Sequence, residues 1–292
     1  MMNFNIFNIS GRIWLATLLT LSACVADAGD RLLGTGGVSQ IEGAGGGGLT
    51  PWAMIAGYGT DAQIGGSAFF TRAKTGDDFE LNTGGVAIGF YNRLELSVSQ
   101  TKFELGSTVP KESIRLNTMG IKLRLFGDAI YEQDSYLPQV SVGALIKHNE
   151  DFDFVPKLIG AKNSTGVDYY LAASKLYLDA IFGRNLLLGA TLIATKANQF
   201  GLLGFGGDLN NDYQIKPSYS AAIMLTDNVL VGMEYRYKPD NLSAFNENDA
   251  KDVFVTWFPH KRFSVTAAAV DLGDIADKTN QAAWYLSGQI SY

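Results

Sequence analysis

The feature that most constrains this chain is a regular alternation of apolar and polar side chains in its C-terminal part. From Val229 to Tyr237 the odd-numbered residues are Val, Val, Met, Tyr and Tyr, whereas the even-numbered residues from Gly232 to Lys238 are Gly, Glu, Arg and Lys. Because successive side chains of a strand point to opposite faces, such a strand has one apolar and one charged face. Similar segments recur too often, and are too long and too glycine-rich, for a soluble β-sandwich, which is the alternative. The pattern therefore predicts an all-β fold, a transmembrane antiparallel up-and-down β-barrel whose apolar face contacts lipid.

Composition restricts the alternatives further. Charged residues make up 18% of the chain and 33 residues are glycine, so the chain is poor in charge and rich in glycine for a globular protein. The net charge is -6 and no basic stripe is present, so we predict no nucleic-acid partner. After the first 25 residues no apolar run approaches the roughly 18 residues that a transmembrane helix needs. A membrane-spanning form of this chain must therefore use strands.

The N-terminal residues are typical of an export signal. Arg12 precedes a short apolar run, Ile13–Leu21, and the small residues at 26 and 28 predict cleavage of a secretory signal peptide, residues 1–28. The alternative is a lipoprotein signal that ends before Cys24, since residues 21–24 resemble a lipobox and Cys24 would then be acylated. We favour cleavage after Ala28, because a barrel already anchors itself in the membrane. Cys24 is the only cysteine, which excludes disulfides and cysteine catalysis in the folded part.

A dense cluster of glycines separates this signal from the alternating segments. We expect residues 29–37 to form a glycine-rich periplasmic segment and residues 38–292 to form the outer-membrane β-barrel. Glycines up to Thr50 could suggest a phosphate-binding loop, but no helix follows and no Walker lysine is present. The interpretation is therefore a flexible or tightly turning entry to the first strand.

The strand count follows from the segments and from parity. Short junctions rich in Asp, Asn and Gly alternate with long connections, which places tight turns in the periplasm and long loops outside. A barrel that ends in the periplasm also begins there, so the strand number is even. We predict fourteen strands, with twelve as the alternative if two short segments merge or stay outside. The predicted strands are Val38–Ala44, Pro51–Tyr58, Gly65–Ala73, Phe79–Phe90, Arg93–Glu104, Ser113–Phe126, Leu137–His148, Val167–Ile181, Asn185–Lys196, Gln214–Leu225, Asn228–Lys238, Lys251–Phe258, Lys261–Val270 and Gln281–Tyr292.

Charged residues on the polar faces of these strands are candidates for a lumen lining. They are Glu95, Lys122, Arg124, Lys147, Lys175, Asp179, Glu234, Arg236 and Lys238. One interpretation is a polar channel lining that tunes selectivity; the other is a network of pairs that fills or rigidifies the interior.

Two long connections carry apolar clusters. Phe152 and Phe154 lie in one of them, and Phe200 and Phe205 lie in the other. Exposed apolar clusters commonly mark interaction or ligand sites, so these four residues are candidate contacts for a hydrophobic compound. The alternative is that they are strand ends reaching above the membrane.

No motif in the chain predicts catalysis, a cofactor or a metal. His148, at the outer end of its strand, could orient as a general base, but no serine is spaced to act with it, so we predict that the protein is not an enzyme. Residues 208–212 resemble the start of an EF-hand loop, yet Tyr213 replaces the turn glycine and Tyr219 replaces the final glutamate.

Several stretches resemble a known family. These are residues 35–43, residues 48–53, Tyr237–Leu242, Trp257–Pro259 and Val270–Gly273. They are similar to those of a bacterial outer-membrane family catalogued only as a domain of unknown function, across about Gly34 to Tyr292. The resemblance implies a barrel in the outer membrane and no catalytic residues. The closing pattern Trp284-x-Leu286-x-x-x-Ile290-x-Tyr292 is similar to the last strand recognised by barrel-assembly machinery, which is the expected partner besides outer-membrane lipid.

These features together favour an outer-membrane channel for passive diffusion or uptake of small solutes, including hydrophobic ones. The alternative is a structural or surface-interaction barrel with an occluded lumen. The sequence does not identify the solute.

Overall fold

Twelve antiparallel strands close into one barrel in the computed structural model, which describes residues 33–34, 36–39, 41–57, 61–76, 78–275 and 281–292. The strands are β1 Ile64–Thr75, β2 Glu80–Phe90, β3 Leu94–Glu104, β4 Ser113–Phe126, β5 Gln139–Asn149, β6 Thr165–Ile181, β7 Arg184–Thr195, β8 Gln214–Thr226, β9 Val229–Arg236, β10 Ala250–His260, β11 Phe263–Asp271 and β12 Ala282–Ser291. Each strand pairs with its neighbours in sequence, and β1 pairs with β12. A helical turn, α1 Val155–Leu158, and a 3₁₀ turn, Asn198–Gly201, lie in the connections.

Closure of the sheet into a barrel gives every strand a hydrogen-bonded neighbour on both sides. The seam between the first and last strands is complete at its end, since the amide of Gly66 donates to the carbonyl of Tyr292 at 2.7 Å and the amide of Tyr292 donates to Gly66 at 2.8 Å. A closed sheet has no edge with unpaired groups, which is the condition for strands to cross a bilayer. Within the described residues, no helix is long and apolar enough to span a membrane.

The two faces of the wall separate as the alternation predicts. On β9, Met233 is 56% exposed on the outer face, whereas Glu234 is 3% exposed on the inner face. The same outer belt includes Met119, Ile121, Leu123, Leu125, Val253, Val255, Trp257, Trp284, Leu286 and Ile290. The barrel is therefore apolar outside and largely polar inside, the arrangement of a protein that is surrounded by lipid.

The two rims of the barrel differ. The rim where β1 begins and β12 ends carries short turns between β2 and β3, β6 and β7, β8 and β9, and β10 and β11, together with the longer β4–β5 connection; we call it the turn rim. The opposite loop rim carries the short connection after β1 and the longer connections after β3, β5, β7, β9 and β11. In bacterial outer-membrane barrels the short turns face the periplasm, so the turn rim has that orientation.

The prediction of fourteen strands is wrong, and the alternative of twelve is confirmed. The described residues of Val38–Ala44 and Pro51–Tyr58 form no strand: Ser39, Gly46 and Pro51 make isolated bridges only, and Gln40 and Tyr58 lie outside the described residues. Instead, residues 36–39 and 41–57 lie inside the barrel, almost entirely buried. The physical reason is the glycine run between the two segments, residues 45–48, because residues without side chains fit the narrow space beside Glu234 and Tyr285.

Candidate functional site

The middle of the lumen is filled by residues 36–39 and 41–57, which we call the plug. Trp52, Ala53 and Ile55 within it are fully or nearly fully buried. Its glycines are required by space, since a side-chain carbon on Gly47 would overlap the carboxylate of Glu234, and one on Gly48 would lie 2.5 Å from the hydroxyl of Tyr285. The barrel therefore has room for the plug backbone and for few side chains.

One buried ion pair binds the plug at two places, at Gly45 and at Met54 and Ala56. Glu95 and Lys122 face each other across β3 and β4, each about 1% exposed, with 3.0 Å between Nζ and Oε2. Lys122 Nζ also donates to the carbonyls of Gly45 at 3.0 Å and Met54 at 2.9 Å. The Glu95 carboxylate accepts from the amides of Gly45 at 3.1 Å and Ala56 at 2.7 Å. The pair thus binds the plug through its backbone alone.

A second anchor is a carboxylate carried by the plug itself. Glu42 pairs with Lys147 of β5 and Arg236 of β9. Lys147 also pairs with Asp168 at 2.5 Å, and Arg236 donates to the carbonyl of Leu49 at 2.9 Å. Burial alone would raise the pKa of Glu42, but the charges of Arg236 and Lys147 and their hydrogen bonds lower it to about 2. Glu42 is therefore ionised at neutral pH.

A third anchor, Glu234 of β9, binds the plug at Leu49 and Trp52. Glu234 accepts from the amide of Leu49 at 2.7 Å and from the indole Nε1 of Trp52 at 3.3 Å. Asp252 of β10 pairs directly with Glu234 across the ladder and accepts from the hydroxyl of Tyr285 at 3.2 Å. This side of the lumen thus carries two neighbouring buried carboxyl groups.

Small polar side chains of the wall complete the contacts. Ser174 accepts from the amide of Ala53 at 3.0 Å, and Ser141 donates to the carbonyl of Ala53 at 2.6 Å. Thr191 donates to Pro51 at 2.8 Å and Thr266 donates to Val38 at 2.5 Å. The wall therefore contacts the plug on several sides with groups that water could replace.

The loop rim has its own closure, the connection 197–206, which we call the lid. Lys147 Nζ donates to the carbonyl of Phe200 at 3.1 Å, and the ring of Phe200 lies 4.6 Å from the guanidinium carbon of Arg236. Glu247 accepts from the amide of Gln199 at 2.7 Å, and burial raises its pKa to about 7, although the charge of Lys238 opposes this. The lid and the plug thus share Lys147 and Arg236.

Seven of the nine predicted lumen residues are buried within the barrel or its mouths: Glu95, Lys122, Lys147, Lys175, Glu234, Arg236 and Lys238. Arg124 is half-buried at the turn rim, 3.3 Å from the carboxylate of Asp128, and Lys175 donates to the carbonyls of Asp128 and Glu132. Asp179 is not in the lumen interior but exposed at the turn rim. The reason is that β6 leaves its register between Tyr177 and Ile181, and Asp179 has a φ of 52°.

Glu42 and Asp168 are among the site residues that the sequence interpretation missed. Glu42 was assigned to a strand, and its position among glycines gave no sign that two cations meet it. Asp168 lies on the inner face of β6 beside Tyr170 and Ala172, so the alternation itself could have identified it.

The four candidate phenylalanines do not form a common exposed patch. Phe205 is 1% exposed, because its ring packs against Gly166 and Gly201. Phe200 lies in the barrel mouth beside Arg236 and Lys238. Phe152 is half-buried and Phe154 is 40% exposed. The expectation of two exposed apolar loops is therefore wrong for the second loop, which is the lid.

The residues considered for catalysis and for metal binding, His148 and Asp208, make ordinary hydrogen bonds. His148 Nδ1 lies 2.8 Å from the hydroxyl of Thr165. Asp208 accepts from the amide of Ser243 at 3.0 Å. In the described ranges, no three His, Cys, Asp or Glu residues are grouped to hold a metal ion. Cys24 and residues 1–28 lie outside the described residues.

An apolar outer belt around a closed, polar-lined barrel defines the class: this is an integral outer-membrane β-barrel, here with an internal plug. The family can also be stated. The profile of the family described as "Protein of unknown function (DUF3034)" matches residues 35–289, and the chain belongs to that family. Among curated proteins, none matches the sequence.

Several solved structures are similar in fold. The KdgM porin has a TM-score of 0.46 and 8% identity, covering 77% of this chain and 99% of that chain. The outer membrane protein Omp33 of Acinetobacter baumannii has a TM-score of 0.45 and 12% identity, covering 80% and 100%. An outer membrane channel from Pseudomonas putida F1 has a TM-score of 0.43 and 9% identity, covering 84% and 97%.

Proposed function

We propose that this protein is an outer-membrane channel for passive diffusion or uptake of small solutes, and that the plug closes its resting lumen. The observation that carries the proposal is the polarity of the inner wall. A barrel that served only as a rigid structure would be held as well or better by apolar packing, since buried ion pairs are often no more stable than apolar residues of similar volume. Once the plug moves, a polar wall with charged residues is suited to a hydrated pathway.

The contacts of the plug support its movement as one unit. They are backbone hydrogen bonds to wall side chains, ion pairs through Glu42 and apolar packing at the two mouths. Water and neighbouring wall groups can replace the polar contacts when the plug leaves, because the same residues already face one another across the strands. The wall does not need to unfold for the lumen to open.

A disulfide between plug and wall tests this proposal. The amide of Ala53 lies 3.0 Å from the hydroxyl of Ser174, so these neighbouring positions of plug and wall are the pair to replace, Ala53→Cys with Ser174→Cys, for a tether made by oxidation. In planar bilayers we expect the oxidised double variant to be silent and the reduced form to show discrete openings. The single variants Ala53→Cys and Ser174→Cys are matched controls that cannot form this tether.

Two results would contradict the proposal in different ways. Equal conductance before and after reduction would mean that solutes pass without plug movement. Silence of the folded wild-type, reduced and single-variant proteins alike would favour the alternative, a structural or surface-interaction barrel. The observation that favours this alternative is that the plug occupies the middle of the lumen and the lid covers it at the loop rim.

Two further proposals concern export of the chain and assembly of the barrel. They rest on the sequence and on the seam between β1 and β12. We propose that residues 1–28 act as the signal peptide, with acylation of Cys24 as the alternative. We also propose that barrel-assembly machinery recognises the last strand. Its support is that Trp284, Leu286 and Ile290 lie on the outer face of β12, directly beside the seam that assembly must close.

A further inference from the structure

A cavity of about 520 Å³ opens at the turn rim between the plug and the wall; we call it the vestibule. Its walls are apolar side chains from five consecutive strands, β6 to β10: Leu176, Leu187, Met224, Leu230 and Phe258. Trp52 and Met54 of the plug form its inner end. The vestibule is therefore a concave apolar chamber inside a barrel whose middle is ionic.

The polarity changes along individual strands, on their inner faces. On β9 the inner face runs from Leu230 at the vestibule to Glu234 at the plug, and on β8 it runs from Met224 to Ser220. Lipid does not explain these apolar residues, because they face inward. Exposing apolar surface to water in an open chamber costs roughly 25 cal/mol per Å², so a bound apolar molecule would stabilise it.

Among the described residues that line the vestibule, the charged groups lie around the mouth. Arg184, Asp179 and Asp227 line its outer part, with both signs of charge represented, and no ionisable side chain of the described residues lines its inner part. A ligand therefore meets apolar atoms around its body and no single charge that would select an ion. The volume is that of pockets that hold drug-sized molecules, about 300–1,000 Å³.

We propose that the vestibule binds a small neutral molecule that is largely apolar, aromatic or aliphatic. That this molecule is the transported solute rests on the proposed channel function, whereas the binding itself does not. The ligand would contact Trp52 and Met54, so it would occupy the space directly beside the plug.

Contact quenching of Trp52 by 4-bromobiphenyl tests the proposal. The chain has four tryptophans, so replacing Trp14, Trp257 and Trp284 by Phe leaves Trp52 as the reporter. We expect saturable quenching in the folded protein purified from outer membranes. Met224→Lys puts a charge into the chamber and should weaken binding at least tenfold. Gln214→Lys, on the same strand but at the loop rim and outside the vestibule, is the matched control and should change it less than twofold.

Heat-modifiable migration on gels verifies that each variant is folded, and Leu178→Lys, at a half-exposed position of the vestibule, replaces Met224→Lys if that variant does not fold. Non-saturable quenching, or equal quenching in the Met224 and Gln214 variants, would overturn the site. Quenching that appears only after proteolysis ahead of Leu33 would also overturn it, because the chain itself would then fill the vestibule. Saturable binding in a protein that never conducts would preserve the site and reject the channel.

Discussion

At the scale of single residues, charge burial distinguishes the lumen from the rest of the barrel. Lys122 and Glu95 form a pair that is almost completely buried and also binds four backbone groups of the plug. Lys102 and Glu104 on β3 form a pair of the same chemistry, 2.7 Å apart, with about half of each side chain exposed. Both are salt bridges, but their effects on stability differ, because water screens the exposed pair and does not reach the buried one.

We predict that Lys122→Met lowers the free energy of unfolding by about 3–5 kcal/mol, because it leaves the buried carboxylate of Glu95 without its partner. Lys102→Met is the control and should cost about 0–1 kcal/mol. Urea unfolding of both variants in the same detergent measures the difference. Equal effects would mean that water reaches the interior pair and that the plug does not seal the lumen.

At the scale of elements, the strands were predictable because each is patterned by its own neighbours in sequence. Ser113–Phe126 matches β4, and Tyr91 and Asn92, which separate the predicted strands Phe79–Phe90 and Arg93–Glu104, have the turn φ values of 53° and 48°. The plug was not predictable, because nothing local distinguishes a glycine-rich strand from a glycine-rich filler. Its conformation depends on the space that twelve strands leave inside, which is a property of the closed barrel.

The plug should respond to acid through Glu42. Its pKa is lowered from 4.5 to about 2 in the folded state, so its contribution to stability is present above pH 4.5 and is lost as the pH falls through about 2. We predict that Glu42→Gln lowers the free energy of unfolding at neutral pH, and that this difference from the wild-type protein shrinks as the pH falls from 4.5 to about 2. Urea unfolding of both proteins across this pH range measures the difference. No difference at neutral pH, or a difference that is already lost above pH 5, would contradict the assignment.

At the scale of the whole molecule, lipid determines the outer face and leaves the inner face free to vary. The alternation therefore predicted the barrel, its location and most inner charges, whereas Asp179 was misplaced where β6 loses its register. The closed state of the lumen could not be predicted either, since it arises when the plug, the lid and the wall meet around Glu42, Lys147 and Arg236.

The outer belt gives a test of the membrane assignment. Val255 lies in the middle of β10 and is 46% exposed on the outer face. We predict that Val255→Arg lowers the free energy of unfolding in lipid bilayers by about 2–4 kcal/mol, the cost of a cation near the bilayer midplane. Tyr136→Arg, at a position 88% exposed in the β4–β5 connection, should have little effect. Equal stability of both variants would mean that Val255 does not contact hydrocarbon.

The chain enters the barrel at one rim and the lid lies at the other, so the two ends of the closed lumen differ. Leu33 and Gly34 line the vestibule at the turn rim, whereas the lid covers the plug at the other end. A pulling force on the chain before Leu33 would draw the plug toward the turn rim, whereas a molecule arriving from outside the cell would contact the lid first. A force applied from the periplasm therefore acts on the plug, and a ligand that binds from outside acts on the lid.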